Sequence, residues 1–118
     1  MRRETVVIGA MLCLAMLFGA AVRAAAADVD GTYVGFMTLL KGPQARCPAG
    51  QKITIVVKDG KVPVSWRKEP AEAVVQPDGT FKASVGGAQS AGKISGDKLE
   101  NDIGDSLCTY NWSLKRQP

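Results

Sequence analysis

The chain has 118 residues, of which 15 are basic, 11 acidic and none histidine, and 46% are hydrophobic. Without histidine it lacks the commonest general base and the commonest transition-metal ligand. Its charges are mixed and scattered, with no basic stripe interleaved with aromatics, which argues against a nucleic-acid partner.

Residues 1–27 read as an export signal. Arg2 and Arg3 give a positive start, Val6 to Ala21 is apolar or small throughout, and Arg23-Ala24-Ala25-Ala26-Ala27 offers small residues where a signal peptidase reads them. The apolar stretch 6–21 is shorter than the ~20 residues of a spanning helix, so cleavage is predicted rather than a retained anchor. Ala10-Met11-Leu12 before Cys13 does not form a lipobox. Cleavage before Asp28 leaves 118 − 27 = 91 residues, with 15 − 3 basic and 11 − 1 acidic side chains, a net charge of +2. The predicted location is periplasmic or secreted, with no membrane attachment after cleavage.

Residues 28–118 form one small domain, near the lower size at which a single core sustains itself. Small exported domains often add disulfides, and Cys47 and Cys108 remain in the mature part. A bridge between them encloses 108 − 47 = 61 residues and contributes roughly 4 kcal/mol in the chain-entropy model.

Asp-Gly and Gly-Asp pairs recur at 30–31, 59–60, 78–79, 96–97 and 104–105 between short apolar runs. Such pairs tolerate the positive φ of tight hairpins, so consecutive antiparallel strands are predicted. In chain order they are 32–40, 52–58, 61–67, 72–76, 80–85, 90–95, 98–103 and 107–115. A two-residue turn at Asp59-Gly60 sets Lys58 opposite Lys61, and then Val57 meets Val62, Ile55 meets Val64 and Ile53 meets Trp66. Those six share one face because strand side chains alternate. Pro63, on the other face, cannot donate to a ladder, so its amide side belongs at an edge or bulge. A turn at Gly96-Asp97 pairs Ile94 with Leu99 and Lys93 with Glu100. After Pro77-Asp78-Gly79, Phe81, Ala83 and Val85 share a face. Gly86 to Gly92 is the weakest strand signal. In the last run, Cys108, Tyr110, Trp112 and Leu114 alternate with polar residues and point inward.

The predicted fold is all-β: a single antiparallel meander of about eight strands, closed or nearly closed into an up-and-down barrel with one disulfide. A curled sheet clamped by that disulfide is the alternative.

Little in the chain supports catalysis. With Cys47 and Cys108 paired no thiol remains, and no serine has a base at a recognised spacing. Asp97, Glu100, Asp102 and Asp105 lack calcium-loop spacing and read as solvated turn and strand residues. No enzyme activity, metal or cofactor is expected. Asn111-Trp112-Ser113 matches a glycosylation sequon, but a strand's polar face accounts for Asn111. Two segments read as contact loops: Lys41 to Arg46, leading into Cys47, and Trp66-Arg67-Lys68 ahead of Glu69-Pro70. A loop pinned by a disulfide is pre-organised for binding.

Asp30-Gly31-Thr32-Tyr33 with Gly35, a cysteine in the first loop, and Cys108-Thr109-Tyr110 with Trp112 resemble a group of small exported proteobacterial β-meander proteins without assigned function. The resemblance implies a periplasmic or secreted bacterial protein. Gly31-Thr32-Tyr33 is also similar to the Gly-x-Trp opening of lipocalin-like barrels, with Tyr in place of Trp, and envelope barrels that inhibit proteases or lysozyme share this size and architecture. Ile53, Ile55, Val57, Val62, Val64, Trp66, Tyr110 and Trp112 are bulky enough to predict a packed interior without a cavity. That favours a monomeric protein-binding or inhibitor-like module for an envelope or extracellular protein. A small-ligand carrier and a structural envelope protein are the alternatives.

Overall fold

The structure, a computed structural model, describes residues 29–118. The predicted signal segment 1–27 lies outside the described residues. The rest forms eight antiparallel strands: β1 (Gly31–Lys41), β2 (Gln51–Val57), β3 (Lys61–Trp66), β4 (Glu69–Val74), β5 (Thr80–Val85), β6 (Ala88–Ser95), β7 (Lys98–Gly104) and β8 (Thr109–Arg116). Alternation of buried and exposed positions runs through β3, β7 and β8, as a sheet with one dry face requires. The disulfide joins Cys47 to Cys108 with their Cα atoms 5.7 Å apart.

Strand neighbours follow the order of an up-and-down barrel, but the sheet is not closed. Six strands pair in the order β2-β1-β8-β7-β6-β5, and β3 and β4 form a separate hairpin. The first strand is therefore flanked by the second and the last. The two predicted registers fare differently. At Gly96-Asp97, Ile94 pairs with Leu99 and Lys93 with Glu100, as expected. At Asp59-Gly60 the turn forms and Lys58 bridges Lys61, but the ladder stops there. Val57, Ile55 and Ile53 instead pair with Gly31, Tyr33 and Gly35 of β1, while Val62 and Val64 pair with Ala73 and Ala71 of β4.

Two prolines explain the interruptions. Backbone groups of successive strand residues point to alternate sides. Lys61 exchanges hydrogen bonds with Lys58 of the preceding arm, and the Gly60 carbonyl accepts from Val75 on the other side. By alternation the Pro63 nitrogen faces β2 and has no hydrogen to donate. The register sets Pro70 opposite Ser65, so the Pro70 nitrogen faces β5. Each break in the barrel thus carries a proline turned toward it, the edge placement expected of that residue.

The core is continuous across both sheets and includes Tyr33, Val57, Val62, Trp66, Phe81, Leu99, Ile103, Tyr110 and Trp112. Ile53 and Ile55 are only half-buried. The weakly signalled β6 is a strand whose small residues make room. A side chain at Gly92 would collide with the Phe81 ring and the Glu100 carbonyl. One polar pair is buried, with the Ser90 hydroxyl donating to Asn101 Oδ1 at 2.8 Å.

Candidate functional site

Where β2 and β3 diverge from the Asp59-Gly60 turn, they leave a cleft of about 690 Å³. Of the residues expected to fill the interior, Val57, Val62, Val64, Trp66, Tyr110 and Trp112 are buried, while Ile53 and Ile55 are only half-buried. Splaying of the two strands leaves that side of the core open to solvent. Ile53 and Ile55 form one wall, Pro63, Ser65 and Trp66 the other, and Met37, Ile103, Tyr110 and Trp112 line the cleft between them. This volume falls within the ~300–1,000 Å³ of ordinary small-molecule sites.

The disulfide loop covers one end. Its turn is held by the Arg46 and Cys47 amides donating to the Pro43 carbonyl at 3.0 and 2.9 Å. Cys47 anchors it to the start of β8, and the Tyr110 hydroxyl donates to the Pro48 carbonyl at 2.7 Å. The loop is fixed from below by an aromatic that also lines the cleft. Burial raises the Tyr110 phenol above its ordinary pKa, so it remains a donor to that carbonyl at neutral pH.

A tight turn forms the lip on the β3 side. Trp66 pairs with Glu69, leaving Arg67 and Lys68 as its central residues with φ of 50° and 72°. This is the geometry of a two-residue hairpin turn, built here without glycine or asparagine. Arg67 and Lys68 therefore carry backbone strain of a kind found at binding and catalytic sites. Arg67 lies over the Trp66 ring, 6.0 Å from its centroid, and 3.6 Å from the Asp105 carboxylate. Trp66 meets Tyr110 edge-on, with centroids 5.9 Å apart.

Asp105 organises this corner. Its carboxylate accepts the Cys108 and Leu107 amides, each at 2.8 Å. Those two hydrogen bonds, followed by the Arg67 charge, hold its pKa below the usual carboxylate range. The Trp66 indole N–H approaches the same carboxylate without reaching hydrogen-bond geometry. The Trp112 indole N–H is buried with no acceptor among the described residues.

The two predicted contact segments converge on this cleft. Arg46 from the first and Trp66 and Arg67 from the second line it. Trp66 is buried, a wall of the site rather than a surface anchor. Lys41 ends β1, exposed and paired with Thr109 across a bulge, and Lys68 is exposed in the turn; neither lines the cleft. Met37, Gln51 and Ile103 carried no signal beyond strand alternation. That same alternation places Tyr110 and Trp112 in the core. No protein-family model, curated protein or solved structure matches this chain.

Proposed function

We propose that the mature protein is an exported, non-catalytic small-ligand-binding domain, and that the cleft between β2 and β3 is its binding site. The observation that carries this reading is the cleft itself: about 690 Å³ lined by Trp66, Tyr110 and Trp112. The opening between β2 and β3 favours a carrier over a protein-binding module, because it exposes apolar wall to a small molecule. The Cys47–Cys108 disulfide supports export, since such bonds persist in oxidising compartments. The test is the mass of the protein recovered from its native compartment, under non-denaturing and then denaturing conditions. A small bound mass lost on denaturation is expected, and a bare chain in both conditions counts against the proposal.

A second reading rests on a separate observation. Phe36, Leu40 and Val56 are exposed on the outer side of β1 and β2, at 62%, 58% and 55%, in adjacent strands. Polar neighbours separate them, with Phe36 between Lys52 and Ser113 and Val56 opposite Thr32, so this side suits docking through single apolar anchors rather than through a continuous apolar patch. Polar substitution at Phe36 would weaken such docking without altering ligand binding in the cleft.

A further inference from the structure

The cleft's charge and hydrogen-bonding groups narrow its ligand, and the inference rests on the binding reading above. Two guanidinium side chains, Arg46 and Arg67, line it, and no carboxylate does. Arg46 has no ion-pair partner among the described residues. Arg67 has one in Asp105, but that contact is loose at 3.6 Å, and the Arg67 side chain is 60% exposed. Exposed pairs of this kind hold their partners weakly. Asp105 meets Arg67 through Oδ2 alone, its Oδ1 accepting the Leu107 and Cys108 amides. The Arg67 fork therefore keeps donors for a second acceptor.

Both arginines lie at the disulfide end of the cleft, Arg46 directly before Cys47 and Arg67 against Asp105, whose Oδ1 accepts the Cys108 amide. Arg46 belongs to the loop tied down by Cys47, and Arg67 to the strained turn after β3. Beyond them the lining is mainly apolar and aromatic, with Gln51, Thr54 and Ser65 as its neutral polar members. A cationic ligand would meet both guanidinium groups without a compensating anion. A fully apolar ligand would leave them unused. Complementarity is met by a molecule with one anionic head and an apolar body.

We infer that the cleft binds an amphipathic organic carboxylate, its head held between Arg46 and Arg67 and its apolar body laid against Trp66, Tyr110 and Trp112. Guanidinium and carboxylate match as a bidentate fork, which makes arginine better suited than lysine to this task.

Trp66 and Trp112 are the two tryptophans of the chain and both line the cleft, so intrinsic fluorescence reports occupancy directly. The experiment titrates the oxidised mature protein with decanoate, decanol and decyltrimethylammonium, each kept below its micellar range. Decanoate is expected to bind at least tenfold more tightly than decanol, with the cation weakest. Arg46→Gln and Arg67→Gln are each expected to weaken decanoate severalfold and to leave decanol unchanged. Equal affinity for decanoate and decanol, or a response to decanoate unaltered in both arginine variants, would overturn the carboxylate inference while leaving the cleft as a binding site. No response to any of the three would overturn both. Circular dichroism of each variant establishes that it folds before its binding is compared.

Discussion

The Asp30 carboxylate holds the Gly60 amide at 2.9 Å, across thirty residues of chain, and the Asp59 amide beside it at 2.8 Å. The aspartate of one Asp-Gly pair thus caps the turn made by another. It secures the apex from which β2 and β3 diverge, so the cleft opens from a fixed hinge point.

Asp30→Ala removes both acceptor bonds and leaves the two amides to solvent. Hydrogen bonds to a charged partner contribute about 1.5–3 kcal/mol when buried, and this cap is partly exposed. The expected loss is about 1–2 kcal/mol in urea denaturation, with faster hydrogen exchange at Asp59 and Gly60. Exchange unchanged at both amides would show that the cap does not hold the turn.

Pro63→Thr returns a donor to the side of β3 that faces β2. Slower exchange at the Thr54 and Val56 amides is expected, together with weaker binding in the narrowed cleft. If those amides exchange at the original rate, the proline is not what ends the ladder.

Cys47 and Cys108 enclose 61 residues, and their bridge also seats the loop carrying Arg46. The double variant Cys47→Ser, Cys108→Ser is expected to lose about 4 kcal/mol by the chain-entropy estimate. A loss below about 1 kcal/mol would mean that strain in the bridge offsets its entropic effect.

Acid and alkali act on different groups. Asp78 is held below the ordinary carboxyl pKa by the Thr80 hydroxyl and amide, and Asp105 by the Cys108 and Leu107 amides. Their contribution to stability is complete above the unfolded value of about 3.9, and it is lost as pH falls through their lowered folded values. Asp105→Asn is therefore expected to flatten the acid limb of a stability–pH profile. Tyr33 and Tyr110 are raised by burial. Their contribution holds below about pH 10 and fades as pH rises through their raised folded values. As the chain's two tyrosines, they are expected to ionise together with unfolding in an absorbance titration.

All eight strands were legible because alternation and turn chemistry are local. The Cys108-Tyr110-Trp112-Leu114 face and the Lys93–Glu100 pair could be read from neighbouring residues alone. The cleft could not. Matching apolar residues on β2 and β3 show that both strands face one core, but the same pattern arises whether or not the strands pair, and here they do not. Pro63 was placed correctly at an edge, but its significance depends on Pro70 occupying the other opening. The start of β4 was predicted at 72 and lies at Glu69. Its turn uses Arg67 and Lys68 at positive φ, where glycine or asparagine is the usual signal. In sequence Asp30 signals only a turn, since its reach to Gly60 depends on tertiary structure.

The position of β1 between β2 and β8 has a kinetic consequence. Tyr33 and Arg116 are register partners although 116 − 33 = 83 residues separate them. Hairpins such as β6–β7 close over short loops, whereas β1 meets its second neighbour only after the last strand has arrived. Distant pairings of this kind slow folding. On the proposed export route the chain crosses the membrane with β1 leading and β8 trailing. The sheet therefore stays incomplete throughout transit, and an unfolded, threadable chain persists until its last strand is delivered.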